Sequence, residues 1–328
     1  MKLVIQIPSH NEEASLAGTL ADLPRSVPGF DRVERILVDD GSADRSVEVA
    51  REAGVDEVVA LPGRQGLAGA FRAGLEASLR RGADVIVHTD ADNQYRGEDV
   101  ERLVEPILEG RADMVVGERP IQDMPFSFLK KLLQRVGSAV VRRVSGTAVP
   151  DATSGFRAYT RDAALQTHVF SQFSYTLETI IQLGLRRARI VSVPIRVNPV
   201  NRPSRLFRSL PEFVLKQALT IIRIYAIYRP FELFAWPGLV CALLAVALGL
   251  RFLVFYVAGA GQGHVQSLIL ASILASTAGL LLLASVLASL TAANRTLLED
   301  IRIRLRKLEL ERRSDPQGEA SISRSRSA

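Results

Sequence analysis

Hydrophobic residues along this chain keep one rhythm over the first two thirds and another over the last third. In the first region, short apolar runs at Leu3–Ile7, Arg35–Val38, Glu57–Leu61, Asp84–His88 and Met114–Gly117 predict strands. Amphipathic stretches at Glu13–Leu23, Ser46–Ala53, Gly66–Arg80 and Gly97–Leu108 predict helices between and after them. Such alternation predicts an α/β fold with a mostly parallel sheet flanked by helices on both faces. Ligands of such sheets bind at the carboxyl ends of the strands. Polar clusters fall there: "PSHNEE" after the first strand, "DDGSADRS" after the second and "TDADNQ" after the fourth. A later unit comprises "DATSGFRAYT", a helix at Tyr175–Leu185, a strand at Ile190–Ile195 and a basic loop, "RVNPVNRPSRLFRS".

The last third reads differently. Leu233–Leu250 is a run of 18 residues without a formal charge, and after Arg251 none recurs until Arg295. A polar break at 258–266 divides the region 231–294 into two spans, about 233–258 and 265–292, each near the ~20 residues that cross a bilayer. Basic residues crowd both outer flanks, so the positive-inside rule puts both termini in the cytoplasm. Trp236 and Tyr256 suit the interface, and Arg251 can snorkel from near a span end. The alternative is a buried helical hairpin in a soluble domain. Residues 209–230 predict an amphipathic helix on the membrane surface. In the tail, 295–328, Leu298, Ile301, Leu305 and Leu308 keep a heptad spacing for two repeats, which fits a short coiled coil or a solvated helix. The Ser/Arg-rich last dozen residues are expected to be disordered.

Charge sharpens this picture. The net charge is +6, and Arg186–Arg229 holds ten Lys or Arg against one acid, Glu212. That bias points to an anionic partner, nucleic acid or a membrane surface. The single cysteine, Cys241, excludes a disulfide framework and reads as a packing residue. Lys2 leads straight into "LVIQIPS", with no signal-peptide pattern, so the first two hundred residues are expected in the cytosol.

Asp90 and Asp92 alternate at the end of a buried strand, so both carboxylates can share one ligand, and Gln94 continues the alternation. Magnesium and manganese take such oxygen ligands together with substrate phosphates. A calcium loop fits poorly, because Tyr95 stands where that loop needs Gly. A structural turn with the aspartates capping the helix at Gly97–Leu108 is the other reading. The dinucleotide fingerprint is missing, and Gly63, Gly66 and Gly69 lead to no Walker lysine. Asp40 suits a hydrogen bond from the ring N–H of uracil or guanine, or else a cap on the helix near Ser46. Pro8 to Glu12 can shape a base pocket, and Ser9 with Glu12 makes a capping box. His88 and His168 read as structural.

"IPSHNEE", "VDDGSADRS", "HTDADNQ" and "DATSGFRAY", in this order, resemble a family 2 glycosyltransferase of the GT-A fold. "FSYTLETI", "VPIRVNPVNRPSRLFRS" and a C-terminal membrane hairpin resemble its polyprenyl-phosphate branch, of the dolichyl-phosphate mannose synthase kind. The resemblance covers most of residues 3–208, the expected catalytic domain being 1–208. It implies inverting transfer of a sugar from a nucleoside-diphosphate sugar to a polyprenyl (undecaprenyl or dolichyl) phosphate, with Mg²⁺ or Mn²⁺ as cofactor. It implies that Pro8, His10, Glu12 and Asp40 contact the nucleoside. Asp90, Ala91 and Asp92 would bind the donor, and Asp90, Asp92 and Gln94 the metal. Arg119 would contact phosphate. Ser154 and Arg157 would lie near the reacting groups, and Arg202, Ser204 and Arg205 in the loop closing over the phosphates and acceptor, with Arg208 beyond. Asp92, Arg119, Arg157 and Arg202 are thus the expected catalytic set. His10 replaces the usual Tyr, and Arg205 the common Lys, which keeps charge but not geometry. A phosphate acceptor, with a second pKa near ~6, needs no general base; Glu178 is the nearest candidate. Membrane lipid is an expected partner, nucleic acid is not, and a homo-oligomer is compatible. The alternatives are a polysaccharide or glycolipid synthase, whose Q-x-x-R-W element is missing around the sole Trp236, and a non-catalytic nucleotide-sugar-binding membrane protein.

Overall fold

The computed structural model describes residues 1–120, 128–169, 175–198, 226–259 and 265–314, with positions 219, 222 and 223. The chain divides into two compact units, Met1–Val214 with Ile303–Ala328, and Leu215–Arg302.

In the first unit the elements run β1 (Lys2–Ser9), α1 (Glu13–Asp22), β2 (Arg32–Asp39), α2 (Ser46–Glu52), β3 (Glu57–Ala60), α3 (Leu67–Arg80), β4 (Val85–His88), α4 (Val100–Leu108), β5 (Met114–Glu118), α5 (Phe128–Ser145), β6 (Arg157–Thr160), α6 (Arg161–Gln166), α7 (Thr176–Leu185) and β7 (Ile190–Pro194). The seven strands form one sheet in the order β3-β2-β1-β4-β6-β5-β7. Strand β1 lies parallel to β2 and β4 at its centre, with Leu3 opposite Val33 and Val85. Leu3, Ile5, Ile7, Leu37, Val85 and Val87 are fully or almost fully buried in the core. Each such side chain contributes about 1.5–3 kcal/mol relative to leaving it in water. The central strands are apolar on both faces, as the helices covering the sheet require.

Two features escaped the sequence pattern. Strand β6 runs antiparallel between β4 and β5. It is only four residues long and opens on an arginine, so no apolar run announces it. The region between β5 and the "DATSGF" motif, without an expected element, holds α5, and α6 follows β6.

The second unit contains α8 (Pro230–Val257) and the first part of α9 (Val265–Ser314). Pro230 starts α8 where a missing N–H costs nothing. Both helices are long and apolar enough to cross a membrane, with mean hydropathies of 2.4 and 2.2. Their apolar side chains face outward: Leu243, Val254 and Leu280 are 62%, 67% and 69% exposed. That surface suits lipid and argues against the buried-hairpin alternative. At Gly238 an added Cβ would lie 3.2 Å from Leu281 Cβ, so this glycine lets α8 and α9 approach closely. Helix α9 continues without a break through the charged segment to Ser314. The expected surface helix at 209–230 lies mostly outside the described residues, as do the last dozen residues.

Candidate active site

The site is built from loops at the carboxyl ends of the strands. After β1 the chain turns at Asn11, whose φ of +56° asparagine tolerates. Its Oδ1 accepts from the Ala43 N–H at 2.8 Å, and its own N–H donates to Ser42 Oγ at 3.0 Å, lacing this loop to the one after β2. Gly41 has φ +74°, and a Cβ there would lie 3.2 Å from Arg64 N, so the turn in "DDGS" requires glycine.

The expected capping box between Ser9 and Glu12 does not form. Ser9 ends β1, and Glu12 is the N-cap of α1 without a side-chain cap bond. Glu12 Oε2 instead accepts from the Ser15 hydroxyl at 2.9 Å. Asp40 does not cap the helix near Ser46; Asp44 does, accepting from the Ser46 N–H at 3.0 Å. The Asp40 carboxylate accepts the backbone N–H groups of Gln65 at 2.6 Å and Gly66 at 2.9 Å, just ahead of α3. It is almost fully buried there, and a base N–H would have to share its remaining lone pairs.

Strand β4 delivers Asp90 and Asp92, with Gln94 beyond them. The Ala91 carbonyl lies 3.0 Å from Ser15 Oγ and 3.1 Å from Thr19 Oγ1, which pins the loop to α1. Asp92 Oδ1 accepts from the Gln94 N–H at 3.1 Å, closing the turn around Asn93 (φ +54°). The helix ahead begins at Gly97 with no side-chain cap, so Asp90 and Asp92 are not helix caps. The Asp90 side chain is 28% exposed. Burial and then the charge of Asp92 push its carboxyl up, against the pull of Arg119 and Arg157. Two like charges held together this way, hard oxygens both, fit a Mg²⁺ or Mn²⁺ ion between them.

The "SGF" turn presses against Asp90. A Cβ on Gly155 would sit 2.8 Å from Asp90 Oδ2 and 3.0 Å from the Tyr175 hydroxyl, so only glycine fits. Tyr95, stacked on Phe156 at 5.1 Å, accepts the Gly155 N–H at 3.0 Å. Beneath Asp90, His88 is fully buried, with Nδ1 3.0 Å from Gln6 Nε2 and Nε2 3.9 Å from Asp90 Oδ1. Burial, and then Arg157, push its imidazole down to about 3, so it is neutral. With Gln6 donating to Nδ1, the ring proton sits on Nε2, facing Asp90.

Two of the expected arginines are held by partners within the protein. The Arg157 guanidinium has no exposure and donates to the carbonyls of Ala152 (2.8 Å), Ser154 (2.7 Å) and Thr176 (2.7 Å) and to Thr179 Oγ1 (2.7 Å). It is a positioning residue that knots the "SGF" turn to α7. Arg119 forms a two-pronged pair with Asp151, Nε to Oδ2 at 2.7 Å and Nη2 to Oδ1 at 3.0 Å, and donates to Thr153 Oγ1 at 2.7 Å. Burial alone would raise the Asp151 carboxyl, but Arg119 holds it below the usual carboxylate range. Ser154 is fully buried, and Glu178 lies almost fully buried on α7. Among the described residues, Ser9 Oγ, His10 Nδ1, His88 Nε2 and Ser154 Oγ are buried polar atoms without a hydrogen-bond partner. All four lie at these strand ends or in the "SGF" turn, where such orphans mark a functional surface better than a structural one. Pro8 and His10 stand at the mouth of β1. His168 is held through its backbone by Gln182, N–H to Oε1 at 2.8 Å.

Several residues that organise the site went unread. Asp151 opens the "DATSGF" motif, and that place in the motif was its only sequence signal. Arg196 binds Asp99 through its N–H at 2.6 Å and Nη2 at 2.7 Å, and Asn198 Nδ2 donates to the Asn93 carbonyl at 3.0 Å. These contacts span about a hundred positions and leave no sequence trace. They anchor the start of the basic loop beside Asp92. Arg202, Ser204, Arg205 and Arg208 lie outside the described residues.

Residues 4–166 match the family model described as Glycosyl transferase family 2. An undecaprenyl-phosphate mannosyltransferase of Micrococcus luteus is 32% identical over 208 residues, covering 60% of this chain and 83% of that protein. The chain belongs to glycosyl transferase family 2. A dolichyl-phosphate hexose transferase of Haloferax volcanii is also 32% identical, over 59% of this chain and 81% of that one. Glucosyl-3-phosphoglycerate synthase of Mycobacterium tuberculosis shares the fold of this glycosyltransferase, with a TM-score of 0.54 and 24% identity over 67% of this chain and 79% of that one. The α/β unit is therefore a GT-A domain.

Proposed function

We propose that this glycosyltransferase moves a sugar from a nucleoside-diphosphate sugar to a polyprenyl phosphate at the cytoplasmic membrane face, with inversion at the anomeric carbon. The carboxylate pair Asp90–Asp92 carries the reading: Asp90 packs on the "SGF" turn, and burial and then the charge of Asp92 push its carboxyl up. Relatives named for transfer to undecaprenyl and dolichyl phosphate supply the acceptor class. The two long apolar helices supply the membrane.

Asp90 and Asp92 would hold Mg²⁺ or Mn²⁺, with Gln94 next in the turn. Bound there, the ion neutralises charge growing on the departing diphosphate. A fold neighbour, glucosyl-3-phosphoglycerate synthase, has been solved with Mn²⁺ and uridine diphosphate. The chain's own groups do the rest. Pro8, His10, Glu12 and Asp40 line the nucleoside end. Arg119, oriented by Asp151, presents positive charge beside the phosphates. Arg157 and Gly155 keep the "SGF" turn against Asp90 so that Ser154 stays at the reacting centre. Arg202, Ser204 and Arg205 would bind the phosphates and acceptor; ahead of them in the chain, Asn198 is tied to the Asp92 turn. The acceptor phosphate is itself an anionic nucleophile, so no side chain need remove a proton. The apolar helices place the catalytic domain at a surface where the lipid phosphate is presented, and each Lys or Arg of the basic loop adds on the order of 1 kcal/mol of attraction there.

The test is a donor panel: purified full-length protein, undecaprenyl phosphate, Mg²⁺ or Mn²⁺, and each nucleotide sugar in turn. A lipid-linked sugar of inverted configuration is the expected product. Absence of lipid product with every donor, while nucleotide sugar still binds, overturns the reading in favour of a binding protein.

A further inference from the structure

The charged end of α9 has no part in sugar transfer, yet its side chains are arranged on two distinct faces. At about 100° per residue, Ile303, Lys307 and Leu310 share one side of the helix. The residues from Ile303 onward fall in the first unit, and on this side Lys307 Nζ meets Asp162 Oδ1 at 2.8 Å. Leu298, Ile301, Leu305 and Leu308 occupy the other side and are 67%, 55%, 56% and 56% exposed. Going back one heptad, the same stripe continues as Thr291 and Asn294, both exposed. Four large apolar side chains in an unbroken seam, on a helix otherwise rich in charge, are costly to leave in water.

The spacing fixes the seam's geometry. Steps of three, four and three make Leu298 and Leu305 a positions, and Ile301 and Leu308 d positions. Arg304 then falls at g and Glu309 at the following e. In a parallel pair of such helices, g of one copy faces e of the next heptad on the other, so Arg304 meets Glu309 twice by symmetry. An antiparallel pair would not align them in this way. Two copies anchored through α8 and α9 in one bilayer present these segments in the same direction. Anchoring also raises their effective concentration, which compensates for a seam only two heptads long.

We propose that the exposed face of α9 from Leu298 to Leu308 is a docking surface for a second copy of this chain, forming a short parallel coiled coil just beyond the membrane. The proposal rests on the membrane-spanning reading of α8 and α9 for its parallel sense, and not on the sugar-transfer chemistry.

The experiment uses the full chain, with Cys241→Ala, in liposomes at low protein density. Leu305→Cys on the seam should cross-link with a short bismaleimide at least about tenfold more than Lys307→Cys on the opposite face. Adding Glu309→Arg to Leu305→Cys should cut cross-linking by roughly tenfold, through like charges across the seam. Adding Arg304→Glu as well should restore it, which neither misfolding nor random collision can do. Equal cross-linking at 305 and 307, indifference to Glu309→Arg, or failure of the double exchange to restore the product overturns the proposal. Alkaline extraction of the same liposomes scores membrane insertion separately. A chain that is extracted refutes the spanning reading, and one that stays inserted without cross-linking refutes the coiled coil.

Discussion

Both ends of the central sheet bury acids, and they treat them in opposite ways. At the amino end, Glu34 on β2 has no exposed side-chain surface and is surrounded by cations: Lys2 Nζ at 2.8 Å, Arg32 Nε at 2.7 Å and Arg81 Nε at 2.5 Å, with Arg81 also reaching Glu57 at 3.0 Å. At the carboxyl end, Asp90 has Asp92 as its neighbour, an uncharged His88 below it, and Arg119 already engaged by Asp151. The first arrangement satisfies its charges internally and stabilises the fold. The second leaves negative charge in excess where a cation and a diphosphate are to be received. A buried acid with its bases is architecture, and a buried acid beside another acid is a site.

The sharpest way to break this contrast is to remove a carboxylate from each end. Asp92→Asn is expected to lower transfer by roughly 10²–10³-fold with the fold intact, because it removes a charge that matters only with the metal and donor present. Full transfer by this variant would place the chemistry elsewhere. Glu34→Gln should do the reverse. It leaves three cations without their shared partner and is expected to cost about 3 kcal/mol of stability by denaturant unfolding, the low end for a buried pair because Arg32 is 65% exposed. Activity per folded molecule should be unchanged.

Asp151 lies between the two cases, a buried paired acid inside the site. Asp151→Asn is expected to destabilise the domain by about 2–3 kcal/mol and to slow transfer, since Arg119 loses its orientation. Its pH signature follows from sign. The folded carboxyl is held below its unfolded value, so the pair contributes stability above the unfolded pKa, near ~4, and loses it as pH falls through the depressed folded value. The acid limb of a thermal-melting profile should therefore be shallower in Asp151→Asn than in the parent. A comparable effect should come from metal alone: Mn²⁺ at about 100 times its dissociation constant adds roughly 2.7 kcal/mol of stability to the parent and much less to Asp90→Asn. Equal shifts in the two proteins would remove Asp90 from the metal site.

Much of this was legible along the chain. The order of strands and helices through β5 follows from hydrophobic period, because a central strand must be apolar on both faces and a covering helix on one. The acidic pair Asp90 and Asp92 was legible because alternation at a strand end puts side chains on one side. Strand β6 was not, since four residues opening with a buried arginine carry no period. Arg157 was placed near the chemistry by resemblance, but its four acceptors come from two segments, the "SGF" turn and α7, and only folding brings them around it. Asp40 likewise reads as a base contact, and only folding shows that the backbone N–H groups of Gln65 and Gly66 share its carboxylate.

The amino-acid sequence alone determined the strands and helices through β5, the apolar spans, and which acids stand at strand ends, because period and charge are local properties. Tertiary structure decided which of those charges are already spent. The partners of Arg119, Arg157, Glu34 and Asp99 lie up to about a hundred positions away, and a hydrogen bond between distant residues exists only once the sheet has brought them within 3 Å.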